Sequence, residues 1–295
     1  MRNAIVLMGY GSPESREEIP EYLRDVYGGR DPPDYAVRET DAKYSAFSYK
    51  SPSTAILRSL EGKIRDSMRQ ENFDVFLSFK HWKPSLNQTA SEISSGKYDA
   101  VYAIPLFPIQ NSSVIESYVK PFTSYLSSFY FRGRTRFTNG FEGSINLLKY
   151  WSEACESFRR DGDFFLFTAH SLPHEVRAER EYYGNMLTMA AEICESAGID
   201  HWSYAFQSRG SYGKKWLEPS VYRRLDEING KNFSRIVTVP IGFIYDHLEV
   251  LYDLDTLFGG KVKELGLNYA RVKLPNDSEQ MVSVIREVIG GLEDE

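Results

Sequence analysis

The architecture of this chain can be predicted from one segment, Phe164-Phe165-Leu166-Phe167-Thr168-Ala169-His170-Ser171-Leu172-Pro173. Four large apolar side chains in succession are typical of a strand buried on both faces, as in a parallel sheet covered by helices. The apolar run ends at a polar His-Ser pair, and Pro173 cannot continue the hydrogen-bond ladder. His170 is therefore expected at the carboxyl end of a central strand, where open α/β sheets hold their ligands.

Two roles are open to His170 on this segment alone. A neutral imidazole can bind a metal ion or accept a proton near pH 7. The alternative is a histidine that caps the helix following the strand. Nothing within the segment separates these interpretations.

Strand-like and helical patterns alternate through both halves of the chain. Strand patterns are expected at 4–8, 74–79, 100–104, 136–138, 164–168, 203–206, 236–239 and 268–271. Helical patterns include 14–26, 53–69, 114–129, 144–159 and 278–292. This order predicts an α/β protein with two Rossmann-like domains, 1–140 and 141–277, whose parallel sheets face a central cleft. The C-terminal helix, at about 278–295, is expected to pack on the first domain.

The segment from Gly28 to Pro52 has no clean hydrophobic period and is long for an ordinary connection. We interpret it as a functional lip that closes over a ligand.

The amino-acid composition indicates which partners and which cellular compartment to expect for this protein. A net charge of −6 without a long basic block argues against nucleic acid as a partner. Cys155 and Cys194 are too few for a disulfide framework or a thiolate cluster and suit a reducing cytoplasm. No apolar run approaches the ~20 residues of a membrane span, so a cytoplasmic protein without a transmembrane segment is expected. The 14% aromatic content fits either bulky cores or a pocket for a large flat ligand.

A second polar segment, Asp246-His247-Leu248-Glu249-Val250-Leu251-Tyr252-Asp253, is predicted to open a helix. The i, i+3, i+7 spacing of Asp246, Glu249 and Asp253 predicts a row of carboxylates on one helical face. Carboxylates facing an imidazole suit a divalent cation or proton transfer, whereas acids in a first turn also simply stabilise a helix dipole. His247 is assigned to a different face, as a buried and hydrogen-bonded histidine.

Six motifs together resemble the ferrochelatase family, which inserts ferrous iron into a porphyrin. They follow the family's order over nearly the whole chain. The motifs are Met8–Pro13, Lys43-Tyr44 ahead of Ser51-Pro52, Pro105–Pro108 ahead of Ser117-Tyr118, Thr168–Pro173, Phe206–Arg209 with Trp216–Pro219, and Gly242–Asp253. The resemblance implies a fold like that of class II chelatases.

The resemblance also implies roles for particular residues. His170 and Glu249 match the pair that faces the inner side of the macrocycle and binds iron or the departing pyrrole protons. Tyr10 matches a tyrosine on the opposite face, which approaches the metal in the product. Residues matching those that hold the propionates and the macrocycle edge are Lys43, Tyr44, Ser51 and Tyr118, with Arg30 as the remaining arginine of a propionate-binding run.

Two positions depart from the family pattern. An Arg-Arg-Gly-Arg run in relatives is replaced here by Tyr27-Gly28-Gly29-Arg30, which removes one propionate partner. A tyrosine-serine pair is replaced by Gln110-Asn111. Because no cysteine-bearing extension is present, we expect no iron–sulfur cluster and no cofactor beyond the substrate ferrous iron (Fe2+). A monomer is expected.

The function expected from the resemblance is that of a ferrochelatase of haem biosynthesis. Coproporphyrin III and protoporphyrin IX are both open as the porphyrin substrate. The alternatives are a cobalt or nickel chelatase of another tetrapyrrole, or a non-catalytic haem or porphyrin carrier. A carrier needs an axial ligand but not several carboxylates, so the acids near His170 favour the enzyme.

Overall fold

The structure is a computed structural model that describes residues 2–173, 176–209 and 215–294. The strands are β1 Asn3–Gly9, β2 Phe73–Phe79, β3 Ala100–Pro105, β4 Arg134–Phe137, β5 Asp163–His170, β6 Trp202–Gln207, β7 Arg235–Val239 and β8 Asn268–Arg271. The helices are α1 Ile19–Val26, α2 Asp34–Ser45, α3 Ser53–Ser67, α4 Leu86–Ser95, α5 Ser112–Ser128, α6 Ile145–Phe158, α7 Val176–Ala197, α8 Val221–Ile228, α9 Leu248–Val250, α10 Gly259–Glu264 and α11 Glu279–Asp294. A π-helix, Leu251–Phe258, joins α9 to α10.

The chain forms two compact units. The first comprises Met1–Leu106, Ser113–Asn139 and Asn276–Glu295, and the second comprises Phe107–Ser112 and Gly140–Pro275. The short segment Phe107–Ser112, assigned by the sequence to the N-terminal domain, thus belongs to the second unit. Hydrogen bonds explain this: the Gln110 side chain and the Ser112 hydroxyl both donate to the Glu181 carboxylate, at 2.8 and 2.7 Å.

Each unit contains a four-stranded parallel sheet with the same strand order. The order is β2-β1-β3-β4 in the first unit and β6-β5-β7-β8 in the second. In each sheet the chain passes from β1 or β5 to a neighbouring strand on one side, β2 or β6. It then crosses over to the strand on the other side, β3 or β7. Side chains at the carboxyl ends of β1 and β3, or of β5 and β7, therefore flank a crevice of the kind in which open α/β sheets bind ligands. The predicted α/β class with two parallel sheets is confirmed.

The central strands are buried because both faces of each sheet are covered by helices. Ala4 to Met8 of β1 have no exposed surface, and Phe165 to Phe167 of β5 are at most 1% exposed. Such continuous burial is the reason that both strands have apolar runs rather than alternating sequences. Serine N-caps at Ser85, Ser144 and Ser220 accept hydrogen bonds from the first turns of α4, α6 and α8.

At the amino ends of β5 and β7, a buried ion pair joins the two strands. Arg235 contacts both carboxylate oxygens of Asp163 at 2.6 and 2.7 Å and also donates to the Phe158 carbonyl. The two side chains are 13% and 3% exposed. The pair fixes the position of the two strands whose opposite ends carry the site described below.

Two predicted elements differ from the structure. The helix expected from residue 14 begins only at Ile19, because residues 14–18 form bends and turns before the helix. The segment Gly28 to Pro52 contains helix α2, whose period is weak because only Ala36 and Tyr44 are buried. In the described part of the chain, no helix is both long and apolar enough to cross a membrane.

Candidate active site

His170 lies at the carboxyl end of β5, directly beside Gln207 at the end of β6. The Nδ1–H of its imidazole donates to the Ser171 carbonyl, which can only accept. The Tyr182 hydroxyl donates to the His170 carbonyl at 3.2 Å. The ring is thus held by its Nδ1 atom, and Nε2 is the nitrogen left for chemistry.

The loop after β7 brings α9 to this strand end because Gly242 allows close backbone packing. A Cβ atom at Gly242 would lie 2.6 Å from the Ala169 Cβ, which is closer than real side-chain atoms approach. The Gly242 N–H donates to the Thr168 carbonyl at 3.1 Å. Only glycine fits here, and the close approach places the start of α9 next to His170.

Glu249 meets two imidazoles at the start of α9. Its Oε2 lies 3.4 Å from His170 Nε2 and 3.7 Å from His247 Nε2. His247 is the N-cap residue of α9, and its Nδ1–H donates to the Tyr245 carbonyl at 3.1 Å. In both histidines the carbonyl fixes the proton on Nδ1, so both Nε2 atoms face the same carboxylate. The Gln207 amide donates to the Glu249 carbonyl at 3.0 Å and positions the turn.

The cluster of His170, His247 and Glu249 has a distinct charge distribution. Burial disfavours the charged form of His170, but the neighbouring Glu249 carboxylate more than offsets this and raises the pKa of His170. Burial likewise opposes ionisation of Glu249, yet His170 and His247 hold the pKa of that carboxyl well below its usual range. A proton on Nε2 of His170 therefore stabilises the cluster, because it replaces the repulsion between a nitrogen lone pair and the Glu249 carboxylate with an attraction.

Asp253 adds a second negative charge near His170 and helps to raise its pKa. It lies in the π-helix and accepts a hydrogen bond from the Ser208 hydroxyl. Ser208 follows β6 with a φ of 57°, a left-handed conformation that is uncommon for a residue with a side chain. π-helical turns are often found at functional sites, and here the turn begins immediately after α9.

Asp246 does not belong to the predicted carboxylate row, which is a correction to the sequence analysis. It precedes the helix, which starts at Leu248, and its Oδ1 lies 3.0 Å from the Arg271 guanidinium. Arg271 also contacts Asp255 at 2.9 Å. The i, i+3, i+7 argument assumed an α-helix through residue 246, whereas the backbone is a loop there and a π-helix from residue 251.

Within the first unit, the rings of Tyr10 and Tyr118 lie near Lys80, which directly follows β2. Tyr10 directly follows β1, and Tyr118 belongs to α5. The Lys80 ammonium is 6.0 Å from the centroid of the Tyr10 ring and 5.0 Å from that of Tyr118. Tyr10 is 42% exposed, whereas Tyr118 is buried. The His81 ring packs against the Tyr10 ring at 4.7 Å between centroids.

The other predicted porphyrin contacts occupy different environments. Tyr44 is buried, and its hydroxyl lies 2.7 Å from the Ser12 hydroxyl. The Ser51 hydroxyl lies 2.9 Å from that of Ser53, next to the start of α3. Lys43 is half-buried in the last turn of α2, and Arg30 is exposed.

Sequence reasoning missed His247 as a partner of Glu249. It placed His247 on another helical face, but the residue is the N-cap, so its ring can turn back toward the carboxylate. The signal that could have revealed it is a histidine two positions before the acid at a helix start. Ser208 appeared only within the Phe206–Arg209 motif, because its contact with Asp253 joins distant parts of the chain.

The structure contains no group of three or more His, Cys, Asp or Glu side chains arranged to hold a metal ion within residues 2–173, 176–209 and 215–294. Cys155 and Cys194 are buried and free, and burial raises the pKa of the Cys194 thiol to about 12. His170, His247 and Glu249 thus lie close together in the second unit but are not arranged as a three-ligand metal site in the described residues.

Known proteins resemble this chain in sequence and in fold. A ferrochelatase of Thermoplasma acidophilum is 37% identical over 285 residues, covering 97% of this chain and 89% of that protein. A coproporphyrin III ferrochelatase of a Geobacillus species is 26% identical over 299 residues, covering 97% of this chain and 96% of that protein.

Among solved structures, SirB from Bacillus subtilis with Fe3+ superimposes with a TM-score of 0.65 at 12% identity, covering 100% of this chain and 98% of SirB. At this identity the likeness concerns the fold alone. The ferrochelatase family profile, in contrast, matches residues 2–291 of the sequence itself. This chain therefore belongs to the ferrochelatase family.

Proposed function

We propose that this protein is a ferrochelatase that inserts ferrous iron into a propionate-bearing porphyrin during haem biosynthesis. The observation that carries the proposal is the convergence of the His170 and His247 Nε2 atoms on the Glu249 carboxylate. Two nitrogen lone pairs that face a carboxylate repel it, so a positive charge placed between these groups stabilises them. That charge can be a proton or a dication. Family membership supports the same reaction.

The chemistry that the cluster must perform is a proton-for-metal exchange. A porphyrin carries two N–H protons, which leave as iron forms bonds to the four nitrogens. A side chain that accepts these protons must be anionic or have a free lone pair, and must lie at the surface of a site. Glu249 is ionised because its imidazole neighbours stabilise the carboxylate, and its side chain is 39% exposed.

His170 is proposed to act with Glu249, either as a ligand that delivers iron or as a proton acceptor. Its Nδ1–H bond to the Ser171 carbonyl keeps Nε2 directed at Glu249. The raised pKa of His170 means that iron and a proton compete for this nitrogen. Asp253 is proposed to attract the dication from one turn further along the helix.

The first unit is proposed to bind the substrate's outer groups. Lys43, Arg30 and the Ser51 hydroxyl supply cationic or hydrogen-bonding groups for propionates. Tyr10, which is partly exposed, is proposed to approach the metal of the product, as in the family. Tyr118 supplies an aromatic surface, whereas the buried Tyr44 hydroxyl holds Ser12 in place.

The decisive experiment measures iron insertion by absorbance, with purified protein, ferrous iron and either coproporphyrin III or protoporphyrin IX. We expect turnover with the wild type and a loss of at least about a hundredfold in Glu249→Gln and His170→Ala. Porphyrin affinity should stay near that of the wild type, since both changes leave the contacts of the first unit intact. The control is Glu264→Gln, which removes an exposed helical acid.

The comparison of the two porphyrins identifies the substrate by the ratio of their kcat/KM values. Wild-type protein that binds porphyrin tightly but inserts no iron would identify a carrier instead. Unimpaired insertion by Glu249→Gln would end the catalytic assignment of the cluster.

A further inference from the structure

Lys80 is a half-buried cation at the carboxyl end of β2, in the first unit. Its ammonium donates to the Ser117 hydroxyl at 2.7 Å. The Ser117 hydroxyl in turn donates to the Val114 carbonyl at 2.6 Å, which leaves its oxygen lone pairs for Lys80. Tyr118 presents its ring 5.0 Å from the ammonium, with the more exposed Tyr10 ring at 6.0 Å.

The charge of Lys80 has no anionic partner among the described residues. Its neighbours there are a neutral hydroxyl and two aromatic rings, and no carboxylate lies within 4.0 Å of the ammonium. Lys83, three positions later, shows the usual arrangement: it is exposed and contacts Glu21 at 2.8 Å.

Partial burial without a counter-charge has a cost for Lys80. Burial lowers the pKa of its ammonium, because the charged form loses water that is not replaced by a carboxylate. Cation–π contacts and one neutral hydrogen bond offset only part of this loss. An anion beside Nζ would therefore be bound more strongly than by an exposed lysine, since the desolvation has already occurred in the free protein.

The surroundings of Lys80 indicate what kind of anion fits. Tyr10 and Tyr118 are two of the aromatic residues assigned to the macrocycle, so an anion at Nζ has flat apolar surfaces on its flanks. A carboxylate at the rim of an aromatic ring system has this combination of charge and shape. The chain also lacks one arginine of the family's propionate-binding run, at Tyr27.

We propose that Lys80 binds a carboxylate substituent of the tetrapyrrole substrate and so sets the preference for porphyrins that carry one near this position. The inference rests on the proposed function, because it takes a porphyrin as the ligand. It assigns Lys80 to binding, not to proton transfer, and gives Ser117 the role of orienting the ammonium.

The test compares Lys80→Met with Lys83→Met, which removes an equal charge from the same strand end. Binding of coproporphyrin III is measured by porphyrin fluorescence. We expect Lys80→Met to weaken binding about tenfold to a hundredfold, the effect of losing a charge-assisted hydrogen bond. Lys83→Met should bind like the wild type, and Lys80→Arg should recover most of the affinity.

Two further measurements separate a carboxylate contact from a packing role. The tetramethyl ester of coproporphyrin III, in the same detergent buffer as the acid, should bind wild type and Lys80→Met equally. The melting temperature of Lys80→Met should equal or exceed that of the wild type, because an unpaired, partly buried charge has been removed. If Lys80→Met does not fold, Lys80→Gln provides the same comparison with a polar side chain.

The outcomes for Lys80 and for the proposed function are distinguishable. Equal binding of the acid by wild type and Lys80→Met, or an equal loss for acid and ester, overturns the role of Lys80. Wild-type protein that binds coproporphyrin III but inserts no iron overturns the enzymatic function, while the binding comparison still decides the role of Lys80. Wild-type protein that binds neither porphyrin form overturns both.

Discussion

At the scale of single residues, backbone carbonyls determine what the two histidines of the site can do. The Ser171 carbonyl engages Nδ1 of His170, and the Tyr245 carbonyl engages Nδ1 of His247. Each ring therefore presents Nε2 to Glu249. A histidine anchored in this way is a better defined ligand or base than one free to exchange its tautomers, as in many metal sites.

His247→Phe tests the residue that sequence reasoning missed. The change removes one imidazole from Glu249 but keeps an aromatic ring against Phe243, whose ring centroid is 4.6 Å away. His247 makes no side-chain capping bond, so the helix start should survive. We expect iron insertion to fall about tenfold, less than in His170→Ala, because Glu249 keeps its second partner. A wild-type rate in His247→Phe contradicts a role for this imidazole in the reaction.

Asp246→Asn should affect stability and not turnover. Asp246 and Arg271 are 18% and 12% exposed, and the change removes one of two carboxylates that contact Arg271. We expect a loss of about 1–3 kcal/mol in the free energy of unfolding, measured in urea, with kcat near the wild-type value. A large fall in kcat without loss of stability would return Asp246 to the catalytic row.

At the scale of elements, the helix that carries Glu249 and Asp253 is not a regular α-helix. Three α-helical residues are followed by eight π-helical ones, which changes the angle between successive side chains. Asp253 is consequently directed to Ser208, while Glu249 is directed to the two imidazoles. The two acids thus occupy separate hydrogen-bonding environments on one short element.

The ion pair at the start of β5 and β7 should be a major source of stability for the second sheet. Asp163→Asn leaves the buried Arg235 charge without its carboxylate, so we expect a loss of about 3–5 kcal/mol, measured by urea unfolding. The control is Lys261→Gln, which breaks an exposed i, i+3 pair and should cost less than about 1 kcal/mol. Equal losses in the two variants would show that burial of the Asp163 pair adds nothing.

The segment from Gly28 to Pro52 should become more ordered when porphyrin binds. Its helix α2 has few buried contacts, since only Ala36 and Tyr44 are buried. Hydrogen exchange with and without coproporphyrin III measures the effect, and amides of α2 should gain protection. Amides of β5, already in a buried strand, serve as the internal reference. An unchanged exchange profile in α2 counts against a lip that closes over the ligand.

At the scale of the whole molecule, the chain does not divide into units at a single point. The last helix, α11, belongs to the first unit, and Phe107–Ser112 belongs to the second. Met281, Val284 and Ile285 of α11 have little or no exposed surface. Arg286 donates to the Ser67 carbonyl at the end of α3 and contacts Glu71 at 2.6 Å. The first sheet thus depends on residues from the far end of the chain.

Deletion of residues 277–295 should destabilise the first unit selectively. The apolar side chains that α11 buries would leave exposed surface on α3, and the ion pair of Arg286 would be lost. Hydrogen exchange should show lost protection in β1 and β3 and retained protection in β5 and β7. Equal loss in both sheets would mean that the two units unfold as one.

The amino-acid sequence by itself determined the class of fold and the position of its most informative residue. The apolar run of Phe164 to Phe167 predicts a central parallel strand, and its polar end places His170 at the ligand-binding edge. These inferences succeed because burial of whole strands and helices is visible in patterns of neighbouring residues. The family resemblance added the expected roles of Glu249 and Tyr10, which await experiment.

Only the tertiary structure decided which side chains meet. Asp246 and Glu249 look equivalent in sequence, yet Asp246 contacts Arg271 of β8 and Glu249 contacts two imidazoles. Lys80 and Ser117 are 37 residues apart and form one hydrogen bond. Such contacts depend on loop paths, on a π-helical turn and on a close approach at Gly242, which local periodicity does not encode. The free energy of an ion pair or a hydrogen bond depends on distance and burial in the folded chain, and neither is a property of sequence spacing.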